Sequence, residues 1–460
     1  MKCQQDIFGQ NTTLASSEAM NNWNSTLLAF LAHGADTPKF LDGTFSAEPG
    51  FALGNAVKGL FYLMLGRSEL RPTAEAALGA ARDSASHTPV TDREMAYIDG
   101  LADWLAGRPS GTIQRMERIL ADHPQDALAM KISHAIRFIL GDAKGMLASI
   151  EAIRPAYDAD HAGYGYLLGC HAFSLEECGE YALAEQTGRR GLEHAENDAW
   201  GLHAVAHVYD MTGNSEAGVQ WLNGREAAWS HCNNFRYHVW WHKALMHLDL
   251  GQIDEVFGLY DQEIRKDKTD DFRDISNATA LLSRLELEGI DVGNRWDELA
   301  DLAETRTDDG SLIFADLHYI LALIGGSRQD AITDIMGRMH RDAKRGGSDM
   351  DARMANPGLA AAAGLEAFGE SDYRTAFLNL ANARKSMQLA GGSHAQRDVF
   401  ERITIDAGIR GGFLDETEEI LNERTSLRAG REDRYAAVRM SLINEGRAAS
   451  QRMQSQVPAE

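Results

Sequence analysis

Apolar positions recur at three- and four-residue intervals along nearly the whole chain, and no β-rich stretch interrupts that helical period. The stripe of Trp23, Leu27, Leu28 and Leu31 predicts a first helix over residues 19–33. A loop carrying Pro38 and Pro49 separates it from an apolar helix over residues 51–65, and residues 71–84 and 92–106 follow as the next pair. From there predicted helix starts fall near Thr112, Asp126, Gly145, Tyr181, Asp198, Ser215, Phe235, Ile253, Arg295, Pro357, Asp372, His394 and Leu414, among others. Alternate starts are roughly 35 residues apart, the spacing of helix–turn–helix repeats.

The turns carry a shared local pattern. Gly179 before Tyr181 and Ala184, Gly213 before Ala217, Gly251 before Ile253 and Gly369 before Tyr373 and Ala376 all match a degenerate G-x-Y-x-x-A turn of tetratricopeptide type. Glycine there supplies a left-handed helix cap, and the small alanine admits a neighbouring helix closely. Period and turn together predict an all-α, tetratricopeptide-like solenoid, curved, with a concave central groove. The expected organisation is a flexible arm over residues 1–20, one repeat domain over 21–448 and a frayed tail over 449–460.

Several segments are similar to the tetratricopeptide repeat protein 38 family. They are Asp126 to Lys131 with His134, Trp200 to His203 with His207, His238-Val-Trp-Trp-His242, Arg295-Trp296, and the run from Gly391 to Phe400. The resemblance extends over about residues 20–430. The resemblance implies an all-helical repeat fold and little about activity. His394 stands where the resemblance leads one to expect a smaller polar residue.

Composition narrows the function class. Hydrophobic residues make up 44% and charged residues 25%, which suits a soluble globular chain. The net charge of −23 and the lack of a Lys/Arg block argue against nucleic acid as partner. No apolar run approaches the ~18 residues of a membrane span, and the start lacks the apolar core of a signal peptide, so no membrane association and a cytoplasmic location are expected. Cys3, Cys170, Cys178 and Cys232 form no CxxC pair.

Candidate chemistry concentrates between residues 198 and 264, where six of the 16 histidines fall. His203 and His207 are four apart, as are His238 and His242, so each pair shares a helix face. Side by side, those helices would offer four imidazoles to a divalent transition metal such as zinc. The H-E-x-x-H pattern is absent, since Ala204 stands where its glutamate would be. A metal-free ligand pocket and purely structural histidines are the two alternatives. Glu177 or Asp210 is the candidate base, and Arg397 the candidate clamp for an anionic substrate. His134, Trp241, His318, Gln396 and Asp398 are candidate ligand contacts. Asp316 and His318, two apart, cannot face one direction on a helix. No nucleophile elbow, P-loop or dinucleotide fingerprint is present.

The expected function is binding, and metal-assisted hydrolysis, of a small anionic molecule in a central pocket. The alternative is a protein–protein adaptor without chemistry, its partner a peptide. Ala436, Val438 and Leu442 leave homo-oligomer formation open.

Overall fold

Polar caps decide where the helices begin. Asp126, Asp142, Asp372 and Ser393 each accept a hydrogen bond from the backbone N–H three residues on, satisfying a donor that has no partner inside its own helix. The helices Ala127–Ile139, Ala143–Ile153, Tyr373–Arg384 and His394–Gly411 follow those caps. A computed structural model describes residues 3–455, and among them regular structure is almost wholly α-helical. Most expected starts hold to within a few residues: Tyr181, Ser215, Phe235, Ile253, Arg295, His394 and Leu414 each open a helix. No described helix is long and apolar enough to cross a membrane.

Four local expectations change. Residues 37–47, expected as loop, form the helix Thr37–Ala47, because Pro38 sits in its first turn, where a missing N–H costs nothing. Residues 4–15, expected as a loose arm, contain a short hairpin pairing Gln4–Gln5 with Asn11–Thr12. Phe8 and Leu14 are buried, and Thr13 donates twice to Glu94, each at 2.8 Å. Around Pro357 the chain makes one wide turn, Met354–Gly358, and the helix opens at Leu359. Ser455 ends a helix from Arg434, so only residues 456–460 of the expected tail lie outside the described residues.

The turn glycines divide into two kinds. Gly179, Gly213 and Gly251 have φ of 86°, 59° and 71°, the left-handed cap expected of them. At the fourth turn Ser371 takes the left-handed conformation with φ 63°, and Gly369 stays in its helix. A Cβ on Gly369 would lie 2.8 Å from Ile324, so that glycine serves close packing. Ser371-Asp372-Tyr373, two residues later, is the true counterpart of Gly179-Glu180-Tyr181.

The chain divides into two compact units. The first contains the chain up to Val208 with 223–239 and 345–352, and the second contains 209–222, 240–344 and everything from Arg353. Both changes of unit near the histidines fall inside helices, Ala199–Met211 and Phe235–Asp249, where the apolar pattern gives no sign of a boundary.

In the first unit, antiparallel helix pairs such as Tyr164–Glu177 with Tyr181–His194 pack through small residues. A Cβ on Gly165 would lie 2.8 Å from the backbone nitrogen of Ala195. The Asp92–Leu105 helix is tied to the next pair by Arg93, whose guanidinium lies 2.6 Å from Asp126. The second unit has a large apolar core that includes Trp241, Leu281, Leu285, Ile320, Leu365 and Ile403. Beside it, Tyr435 donates to Asp406 at 2.8 Å, and Arg439 pairs with the same carboxylate at 3.1 Å.

One close approach positions the candidate site. Gly169 on the Tyr164–Glu177 helix meets Gly201 on the Ala199–Met211 helix, and a Cβ on Gly169 would fall 1.9 Å from Asp198 Oδ2. Replacing Gly169 by Ala should therefore force the helices apart and lower the unfolding free energy by about 1–3 kcal/mol. Urea denaturation checks this; an unchanged midpoint would show that the contact has slack.

Candidate metal centre

Asp198 Oδ2 accepts a hydrogen bond from Gly201 N at 3.1 Å and starts the Ala199–Met211 helix. On that helix Trp200, His203 and His207 follow at spacings of three and four, so they share one face. Phe173 and Glu176, three apart, share a face of the Tyr164–Glu177 helix. The Phe173 ring lies 5.6 Å from that of His203 and 5.4 Å from that of His207. Phe235 and His238 come from the start of the Phe235–Asp249 helix, with Phe235 5.1 Å from His203.

Three imidazole nitrogens converge within the first unit. His203 Nε2 lies 2.8 Å from His207 Nε2 and 3.1 Å from His238 Nε2. Both contacts use the same atom of His203, which in a neutral ring offers either one in-plane N–H or one lone pair. One proton position cannot serve two in-plane contacts well. All three rings are buried, and burial, together with His207 and His238, holds the His203 pKa well below its ordinary value. Imidazole nitrogens pointed at one place are what a first-row divalent metal takes as ligands. Tetrahedral bonds of about 2.0–2.1 Å put neighbouring nitrogens about 3.3 Å apart, close to the spacing here.

Glu176 and Glu177 complete the surroundings. Glu176 Oε2 lies 3.4 Å from His207 Nδ1, and both groups are fully buried. A carboxylate there favours the tautomer with its proton on Nδ1, which leaves the Nε2 lone pair for a metal. Ligand atoms of Glu176, Glu177 and His207 all lie within 4.8 Å of one another. His242, one turn beyond His238 on the same helix, is buried and belongs to the second unit, where its ring meets Trp241 edge-on at 4.9 Å. No protein-family model matches the chain.

The other expected site residues go to different places. His134 is buried in the first unit, 5.7 Å from the Trp200 ring. Asp210, Arg397, Gln396, Asp398, Trp241 and His318 all belong to the second unit. Asp210 pairs with Arg428 at 3.1 Å. Arg397 folds back onto the carbonyls of Gly391 and Gly392. Gln396 closes a capping box with Ser393. Asp398 holds Arg402 at 2.8 Å and Arg424 at 2.6 Å; burial alone would raise its pKa, and these guanidinium groups hold it well below the carboxylate range. Trp241 lies under the Arg284 guanidinium at 5.5 Å. A water-sized cavity beside these groups is lined by Asp210, Arg284, Asp398, Arg402 and Arg428.

Sequence reasoning chose Glu177 and passed over Glu176. The usable signal was Phe173: a buried aromatic three residues earlier turns Glu176 inward on the same stripe. Asp316 and His318 diverge as their spacing requires, with Asp316 on Arg338 at 2.5 Å and His318 Nδ1 on the Phe314 carbonyl at 2.7 Å.

Burial, with Arg284 nearby, lowers the His318 pKa from 6.5 to about 4. Between those values the unfolded chain binds the extra proton and the folded chain does not, so acid destabilises the second unit across that window. NMR titration of the His318 ring should give a midpoint near 4, and a midpoint near 6.5 would mean that the ring is hydrated.

Proposed function

We propose that this chain is a tetratricopeptide-type helical-repeat protein, of the tetratricopeptide repeat protein 38 kind that its sequence resembles, and that its first unit binds a divalent transition metal to hydrolyse a small anionic molecule. The observation that carries the reading is the convergence of His203, His207 and His238 at 2.8 and 3.1 Å between Nε2 atoms. His242, one turn further along the helix from His238, belongs to the second unit and is left out of the proposed set. A zinc-class ion on such ligands supplies Lewis acidity and a bound water whose pKa falls to about 7.

The protein groups divide the remaining work. Glu176 orients His207 through Nδ1, in the manner of carboxylate–histidine pairs behind metal sites. Glu177, the second buried acid at the end of the same helix, is the proposed base that receives a proton from the attacking water. Phe173, Trp200 and Phe235 surround His203 and keep bulk water away, which strengthens every charge interaction at the site.

Elemental mass spectrometry on tag-free protein, beside His203→Ala and His238→Ala, tests the reading. About one equivalent of a transition metal should accompany the native protein and fall by roughly tenfold or more in either variant, because losing one of three imidazoles removes a large share of the affinity. Native protein that stays metal-free after incubation with zinc, manganese and iron salts, or variants that keep their metal, would end the metal reading.

A further inference from the structure

Next to the histidines, the first unit buries a set of hydrogen-bond donors with no oxygen among the described residues to receive them. Lys131 and His134 are three apart on the Ala127–Ile139 helix and share a face. Lys131 is 4% exposed, and its ammonium contacts the Cys170 thiol at 3.8 Å and the Trp200 ring at 4.8 Å. Among the described residues it makes no ion pair with a carboxylate. Asp198, a buried acid that acts on its charge, accepts from the backbone N–H groups of Trp200 and Gly201.

Its neighbours are in the same condition. His134 is 3% exposed, and among the described residues neither ring nitrogen has a hydrogen-bond partner. Trp200 is 8% exposed, and its indole N–H also has none. Three different side chains thus present donors, and a thiol sulfur is a weak acceptor for an ammonium. Buried donors normally find acceptors, and a buried charge normally finds a counter-charge. Here, among the described residues, His134 and the Trp200 indole lack acceptors and Lys131 has no carboxylate in direct contact; Trp200 links this group to His203 with ring centres 5.0 Å apart.

We infer that Lys131, His134 and Trp200 form a subsite for a carboxylate group on a small ligand. One negative charge matches one ammonium, and two oxygens suit an ammonium, an imidazole N–H and an indole N–H. A phosphate would bring more charge and more acceptor oxygens than these groups serve. This assignment names the substrate class for the proposed metal site and rests on that reading for its catalytic meaning. Arg397, the anion clamp expected from the sequence, is spent on its own loop carbonyls.

The test follows the Trp200 indole N–H resonance of the full chain by NMR, assigned with Trp200→Phe. Acetate, butyrate and benzoate are titrated against acetamide and inorganic phosphate, each with chelator and again with added zinc. The carboxylates should move the resonance downfield in a saturable way, acetamide and phosphate should not, and Lys131→Met should weaken the response by about tenfold or more. Methionine suits the apolar surroundings of Lys131, and circular dichroism confirms that the variant folds. No response to any carboxylate, an equal response to phosphate, or an unchanged response in Lys131→Met would overturn the assignment. A carboxylate response in protein that takes up no zinc would leave this subsite standing and remove the metal site. Zinc uptake without a carboxylate response would do the reverse.

Discussion

Three buried imidazoles brought nitrogen to nitrogen set the condition that the rest of the first unit has to meet. Each ring has one donor and one acceptor, and the meeting point at His203 Nε2 asks one atom to serve two partners. Protonating His203 would add a donor, but burial holds its pKa down, so added charge is a costly remedy. A bound cation, as proposed, would use all three lone pairs at once. Glu176, placed behind His207, favours the tautomer that frees the lone pair.

That arrangement depends on how close two helices come. Gly169 and Gly201 let the Tyr164–Glu177 and Ala199–Met211 helices approach until backbone faces backbone, with the Asp198 cap tucked beside them. The same register places Phe173 and Glu176 opposite His203 and His207. A side chain at either glycine would move the carboxylate away from the imidazole it orients. Packing and chemistry are therefore coupled through two residues that carry no functional group. The second unit uses its polar residues differently: Asp210, Asp398 and Asp433 are each paired with guanidinium groups, so their charges hold helices together.

Helix positions and the two histidine pairs were legible in the sequence because both follow from periodicity, a local property of the chain. Caps such as Asp126 and Ser393 mark starts for the same reason. What could not be read is which partner a polar side chain chooses. Arg397 was expected to clamp an anion and instead donates to carbonyls five and six residues before it. Asp210 continues the histidine helix by sequence, yet it lies one turn past His207 in the second unit and pairs with Arg428, 218 residues away. Glu176 and Glu177 are adjacent acids, and only the direction of Phe173 separates them. The misplaced turn at Gly369 shows a similar limit, since glycine there answers to Ile324 and not to backbone conformation. The donor-rich place at Lys131, His134 and Trp200 needs contacts between two helix faces to be seen at all.

X-ray absorption at the zinc edge of zinc-loaded protein tests the central claim most directly. The account predicts a first shell of nitrogen and oxygen at about 2.0–2.1 Å, with the outer-shell scattering of at least three imidazole rings. A shell of oxygens without imidazole scattering, or one containing sulfur at about 2.3 Å, would place the metal elsewhere and contradict the account.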